Sequence, residues 1–178
     1  MSLSADRRAA LVEAIVFDVD GVLTRGDIIY ASEGEWKTFN VQDGLGFDVA
    51  RQVGLKLAMF SGRASTAVRR RARELHVNAL AEGVKDKGAA IGELLEKLGV
   101  KAEQVCYVGD DLIDLPAMAV VGFPVAVANA VEEVREAAAW VTKKRGGEGA
   151  AREVIEFVLK AKGLWPKVIQ RYSRKSDE

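Results

Sequence analysis

Histidine and cysteine occur once each, as His76 and Cys106, and proline only three times. A single cysteine excludes any disulfide within the chain. A single imidazole with no motif around it argues against Ser-His-Asp or Cys-His nucleophilic sets. Cys106 lies in the strand-like run Val105-Cys106-Tyr107-Val108 and reads as a small buried residue, not a nucleophile. An excess of charge is missing too: 26 basic residues balance 26 acidic ones. That removes any global electrostatic case for nucleic acid or an anionic membrane as partner. No apolar run approaches the roughly 20 residues of a bilayer span. Asp6, Arg7 and Arg8 stand near the start without a hydrophobic signal core, so the expected location is cytoplasmic. There is no internal repeat, low-complexity linker or composition break. With 178 residues, 49% of them apolar, residues 1–178 are expected to form one domain around one core.

What the chain does have begins at residues 14–24, Ala-Ile-Val-Phe-Asp-Val-Asp-Gly-Val-Leu-Thr. Four apolar residues followed by Asp18, Asp20 and Gly21 read as a strand buried on both faces with two carboxylates at its tip. In an open α/β sheet, ligands bind just beyond the carboxyl ends of such strands. Two carboxylates that close repel and are costly to desolvate, and a divalent cation offsets both effects. Oxygen ligands suit Mg²⁺. Alone, Asp-x-Asp is equally compatible with a surface loop.

The rest of the chain alternates between the two periodicities. Strands are expected at 55–60, 77–80, 105–108, 124–128 and 140–142. Helices are expected at 4–13, 43–53, 64–75, 89–98, 131–139 and 150–162, with a short one up to residue 120. Residues 27–31 and 35–39 flank Ser32-Glu33-Gly34 and read as a hairpin, about 26–40. Its Ile28, Tyr30, Trp36 and Phe39 give it more apolar surface than a lone hairpin should expose, so a neighbouring subunit is a natural partner. Residues 163–178 form a polar, basic tail expected to be mobile at its end. The arginines of 69–73 read as a solvated helix face. Strand–helix alternation predicts an α/β, Rossmann-like three-layer fold with a mostly parallel sheet.

Polar clusters fall just after the strands: Asp18 and Asp20, Ser61-Gly62-Arg63, then Gly109-Asp110-Asp111-Leu112-Ile113-Asp114. Lys87 stands at the start of a helix. Each has an ordinary reading alone, as a turn, a surface lysine or a helix cap. Together they fall at one edge of the sheet, where they can converge. Such a set can run phosphoryl transfer. Asp18 serves as nucleophile and Asp20 as general acid, then base. Mg²⁺ sits on Asp18, Asp110 and a backbone carbonyl near Asp20. Ser61, the Gly62 amide and Lys87 hold the phosphoryl group. Asp111 and Asp114 act as further ligands or as orienters of Lys87 and metal waters.

These four clusters resemble the motifs of the haloacid dehalogenase superfamily of phosphohydrolases. The resemblance implies an aspartyl-phosphate on Asp18, acid/base work by Asp20, phosphate contacts from Ser61 and Lys87, and Asp110 as metal ligand. More narrowly, the hairpin, Val41-Gln42-Asp43-Gly44-Leu45-Gly46, the Asp110 motif and Arg145-Gly146-Gly147-Glu148-Gly149 resemble the 3-deoxy-D-manno-octulosonate 8-phosphate (KDO 8-phosphate) phosphatases of lipopolysaccharide synthesis. That implies no separate cap domain and a homotetramer built through the hairpin, with a neighbour's elements closing the site. Two residues point to different substrates. Glu148 stands where many KDO 8-phosphate enzymes carry arginine and resembles relatives acting on nonulosonate (sialic-type) 9-phosphates. Arg63 follows the KDO 8-phosphate pattern. Ser61 replaces a commoner threonine and keeps the hydroxyl. Both substrates carry a carboxylate, for which Arg63, or a neighbour's Lys37 or Arg152, is a candidate partner. Two further readings remain: a non-catalytic oligomerisation partner of a sugar-nucleotide transferase, and a receiver-like phosphotransfer domain.

Overall fold

The structure, a computed structural model, describes residues 3–32 and 34–173. Glu33 of the hairpin turn and the last five residues of the tail, with the mobility expected there, lie outside the described residues.

The chain runs α1 (Ala5–Ala10), β1 (Ala14–Phe17), β2 (Ile29–Tyr30), β3 (Glu35–Trp36), α2 (Val41–Gln52), β4 (Lys56–Phe60), α3 (Thr66–Glu74), β5 (Ala79–Ala81), α4 (Lys87–Leu98), β6 (Val105–Gly109), α5 (Leu115–Met118), β7 (Phe123–Ala126), α6 (Glu132–Ala137), β8 (Trp140–Val141), α7 (Ala150–Ala161) and α8 (Trp165–Ser173). Six strands pair in the order β5-β4-β1-β6-β7-β8, every pairing parallel. β2 and β3 form a separate antiparallel ribbon. α4, α5 and α6 pack in a row, α4 against α5 and α5 against α6. α7 returns to pack against α2 and α1.

The four apolar residues of β1 are all buried, as the central strand of a two-faced parallel sheet must be. From β1 the chain winds outward through β4 and β5, then crosses to β6 and winds the other way. The winding reverses between β1 and β6, and a cleft opens at such a point. Register fixes what lines it: Phe17 pairs with Met59 and Val108, and the Asp18 amide donates to the Val108 carbonyl at 2.9 Å. The residues just past β1, β4 and β6 therefore sit side by side, about 4.8 Å per strand.

Local chemistry sets the helix ends. Asn40 Oδ1 accepts from the amides of Gln42 and Asp43, which starts α2 two residues earlier than its hydrophobic spacing suggests. Asp86 accepts from the Ala89 amide at 3.0 Å, making Lys87 the first residue of α4, and Gly99 ends it in the left-handed conformation. Buried Asp43 reaches across to accept from the Arg152 amide at 2.7 Å, tying the start of α7 to α2.

Two differences from expectation stand out. The paired part of the hairpin is two residues per strand, shorter than the sequence predicts. Much of the expected tail is a helix, α8, with Val168 buried and Trp165 beneath the Arg152 and Lys160 cations. No helix among the described residues is long and apolar enough to cross a membrane.

Candidate active site

Asp18 leaves the end of β1 with its side chain buried. Lys87 projects from the first turn of α4 and is 1% exposed. Its ammonium lies 2.7 Å from Asp18 Oδ1 and 2.6 Å from Asp114 Oδ1. The Phe60 and Tyr107 rings lie 5.7 and 5.9 Å from it. A buried lysine persists only when its charge is paired. Here burial works against the charge, but Asp18 and Asp114 outweigh it and hold Lys87 above its ordinary range.

Asp114 has no free oxygen. Oδ1 accepts from Lys87 and from the Tyr107 hydroxyl at 2.8 Å. Oδ2 accepts from the amides of Asp110 and Asp111 at 2.9 and 3.3 Å. The side chain thus ties α4 to the loop after β6. Tyr107 is pushed well above its usual value by burial and by Asp114.

Asp110 is the opposite case. Among the described residues, its buried Oδ1 has no hydrogen-bond partner. Burial, then Asp18 and Asp114, pushes its carboxyl up to about 8. Burial likewise lifts Asp18 to about 6, against the pull of Lys87. Carboxylate oxygens of Asp18, Asp110 and Asp114 lie within 4.8 Å of one another. An orphaned buried oxygen in a crowd of like charge, all oxygen donors, fits a hard divalent cation. With Asp114 fully engaged, Asp18 and Asp110 are the side chains with capacity to hold it.

The loop that carries these groups is clamped from outside. Gly21, at φ +93°, lets the chain pass over Asp110, where a Cβ would strike the carboxylate. Gly146 likewise has no room for a side chain against the Gly21 carbonyl. The Gly147 amide donates to the Val22 carbonyl at 2.9 Å.

Asp18, Asp20, Gly62, Arg63, Asp110 and Asp111 all border one cleft of about 240 Å³. Asp20 and Asp111 share the cleft without joining the three-carboxylate cluster. Asp111 is exposed, and its Oδ1 accepts from the Leu112 amide. Ser61 is fully buried; its hydroxyl donates to the Arg63 carbonyl at 2.9 Å and accepts from the Arg63 amide at 3.1 Å. That shapes the turn which turns Gly62 and Arg63 to the cleft. Glu148 pairs with Arg25 at 3.4 Å on the surface. Arg152 pairs with Glu156 at 2.7 Å, outside its own chain's cleft.

Sequence reasoning offered Lys37 only as a neighbour's contribution. In the structure it pairs with Asp20 of its own chain. Alternation about Trp36 puts Glu35 and Lys37 on one face of the ribbon, but does not say that this face meets Asp20. Tyr107 was missed because an aromatic in an apolar strand reads as core.

The raised carboxyl groups give a metal prediction. Their metal-binding form is the deprotonated one. Mg²⁺ is expected to displace about one proton near pH 6.5 and almost none above pH 9, with affinity rising across that interval. Isothermal titration in buffers of different ionisation enthalpy counts the protons. Affinity and proton release that ignore pH would mean that Asp110 is ionised without metal.

A family profile described as haloacid dehalogenase-like hydrolase matches residues 76–154. The 3-deoxy-D-manno-octulosonate 8-phosphate phosphatase of Escherichia coli (strain K12) is 42% identical over 164 residues, covering 90% of this chain and 87% of that protein. The crystal structure of the Moraxella catarrhalis enzyme of that name, in complex with magnesium, phosphate and KDO, matches with TM-score 0.91 and 42% identity over 95% of this chain and 98% of that one. The cobalt-bound Haemophilus influenzae enzyme matches with TM-score 0.85 and 39% identity over 88% and 92%. The fold and the carboxylate site are those of a haloacid dehalogenase-like phosphoric monoester hydrolase dependent on a divalent metal. Within that class, the chain belongs to the 3-deoxy-D-manno-octulosonate 8-phosphate phosphatase family.

Proposed function

We propose that the protein hydrolyses 3-deoxy-D-manno-octulosonate 8-phosphate to KDO and phosphate through a phosphoenzyme on Asp18. The observation that carries this reading is the buried Lys87 ammonium bridging Asp18 and Asp114 beside the unpartnered Asp110 oxygen, at the reversal point of a parallel sheet. The free oxygen of Asp18 attacks phosphorus, and the bond to the sugar oxygen breaks in line. Asp20 gives that oxygen its proton, then takes one from the water that attacks phosphorus and frees Asp18. Lys87 and the Gly62 amide hold the phosphoryl oxygens, with Ser61 setting the Gly62 turn. Mg²⁺ on Asp18 and Asp110, when bound, neutralises the attacking carboxylate and the phosphoryl charge. Arg63 at the cleft mouth supports an acidic sugar as substrate, its guanidinium being a partner for the substrate carboxylate.

The hairpin supports assembly. Ile28, Ile29, Tyr30 and Trp36 are exposed on it, Tyr30 by 80% and Trp36 by 67%, and such surface is normally covered. A homotetramer through this ribbon fits, as does a cytoplasmic enzyme with a small-molecule substrate and neither nucleic acid nor membrane as partner. The nonulosonate and scaffold readings are not those named for the relatives above.

The test is a phosphate-release panel with and without Mg²⁺: KDO 8-phosphate, nonulosonate 9-phosphates and generic sugar phosphates, with light scattering on the same preparation. Turnover confined to Mg²⁺, with KDO 8-phosphate preferred and about four chains per particle, is expected. Preference for a 9-phosphate would transfer the assignment to that substrate. No turnover on any ester would favour the scaffold.

A further inference from the structure

The ribbon has a second task within its own chain. Its residues alternate: Trp36 and Thr38 are exposed, whereas Glu35, Lys37 and Phe39 turn inward. The inward face brings Lys37 onto Asp20, and the Lys37 side chain is only 1% exposed. Glu35 Oε1 lies on the other side of the same ammonium at 3.4 Å. Glu35 Oε2 accepts from Arg63 at 3.0 Å. An ion-pair chain, Asp20–Lys37–Glu35–Arg63, thus joins the loop after β1 to the turn after β4, and its two end residues border the cleft. Surface ion pairs contribute little when their side chains move freely in water. This one differs because the side chain at its centre is buried, hydrogen-bonded to Asp20 and ion-paired with Glu35.

We propose that Lys37 is a positioning residue for the proton-transfer step. It holds Asp20 Oδ1 and thereby aims the remaining oxygen at the leaving sugar oxygen. The inference rests on Asp20 being the general acid and base of the reaction proposed above. Proton transfer needs the two heavy atoms within about 2.6–3.2 Å. Asp20 follows Val19 in a loop with a glycine at the next position, so its backbone alone leaves the carboxylate free to rotate. Glu35 keeps Lys37 from swinging away and shares its charge, so Asp20 is oriented by one corner of a three-membered group. The ribbon therefore links two roles: one face offers Tyr30 and Trp36 outward, and the other completes the site of its own chain.

The discriminating measurement is the dependence on the leaving group. An alkoxide leaves only with a proton, whereas p-nitrophenolate leaves without one. General acid catalysis contributes on the order of 10²–10⁴-fold. Lys37→Met keeps the buried stem and removes the ammonium. In the Mg²⁺-loaded enzyme it is expected to lower kcat/KM on an alkyl sugar phosphate by about 10²-fold, and on p-nitrophenyl phosphate by less than about tenfold. The inhibition constant of inorganic phosphate should stay within about twofold, since Lys37 pairs with Asp20 and not with the phosphoryl cradle. Lys37→Arg restores the charge and should recover part of the alkyl-to-aryl ratio. Because both substrates are measured on one preparation, the ratio is independent of the fraction that folds. Equal losses on both esters, or a weakened phosphate inhibition constant as the main effect, would overturn the inference. A wild-type enzyme inactive on every ester would instead overturn the phosphatase reading, and the inference with it.

Discussion

Asp18→Asn is expected to lower phosphate release by about 10⁴-fold or more while leaving the fold intact. The substitution is isosteric, but the amide oxygen is a poor nucleophile and a poor partner for a cation. The covalent route ends there, because among the described residues no other carboxylate combines the strand-end position, burial and contact with Lys87 at 2.7 Å. Acid-quenched wild type should carry a phosphorylated peptide containing Asp18, and the variant none. The stability effect has a sign that can be worked out. Burial raises the folded-state value of Asp18 to about 6, above its ordinary 3.8. A carboxyl group that holds its proton more tightly in the folded state weakens folding as pH climbs from about 4 to about 6. Removing it relieves that burden above pH 6, while Lys87 keeps Asp114. Without metal, the stability of the variant relative to wild type should therefore rise as pH climbs from about 4 to about 6, read by urea denaturation. Phosphate release within a factor of ten of wild type would show that another group attacks phosphorus.

How much of this was readable in advance depended on how local each signal is. Residues 14–17 announce a buried strand because nothing but a two-faced sheet asks for four apolar residues in a row ending in aspartate. The carboxylates of Asp18 and Asp110 could be placed together because adjacent parallel strands put their ends at one edge whatever the loops do. Lys87 was legible only as a residue at the start of a helix; the Asp86 cap that makes it the first residue of α4 is seen in the structure. What stayed hidden needed the third dimension. The Asp20–Lys37 pair depends on the angle at which a two-residue ribbon folds over the sheet, which no periodicity encodes. Whether Asp114 binds metal or orients its neighbours depends on four donors from three segments, and only coordinates show that both its oxygens are taken. α8 escaped because Trp165 and Val168 are its few inward residues among cations. The hydroxyl of Ser61, assigned to phosphate from its motif, also shapes the turn that presents Gly62, which only coordinates show.

Lys87→Met carries the second large effect, and the metal decides its size. Among the described residues, the ammonium is the only positive charge in contact with two buried carboxylates, Asp18 and Asp114, and Asp110 stands beside them. Removing one partner of a buried ion pair leaves the other uncompensated, typically at about 3–5 kcal/mol. Methionine matches the lysine stem and suits the space beside Phe60 and Tyr107, so the loss reflects charge and not a cavity. The remaining carboxylates can respond only by taking up protons. Asp18 and Asp110, already held above the ordinary carboxylate range, are lifted further, so the variant is least penalised at low pH and loses stability as pH increases. A divalent cation supplies positive charge to the same cluster, and its stabilisation of the variant should exceed that of wild type at pH 8. Urea midpoints measured with Mg²⁺ and with chelator, at pH 6 and pH 8, separate these contributions. Activity should fall by about 10²–10³-fold even in excess Mg²⁺, since a fixed donor to the phosphoryl oxygens is lost. If the chelated variant were as stable as wild type at pH 8, Asp18 and Asp110 would already be sharing protons without help from Lys87. The lysine would then serve the phosphate alone.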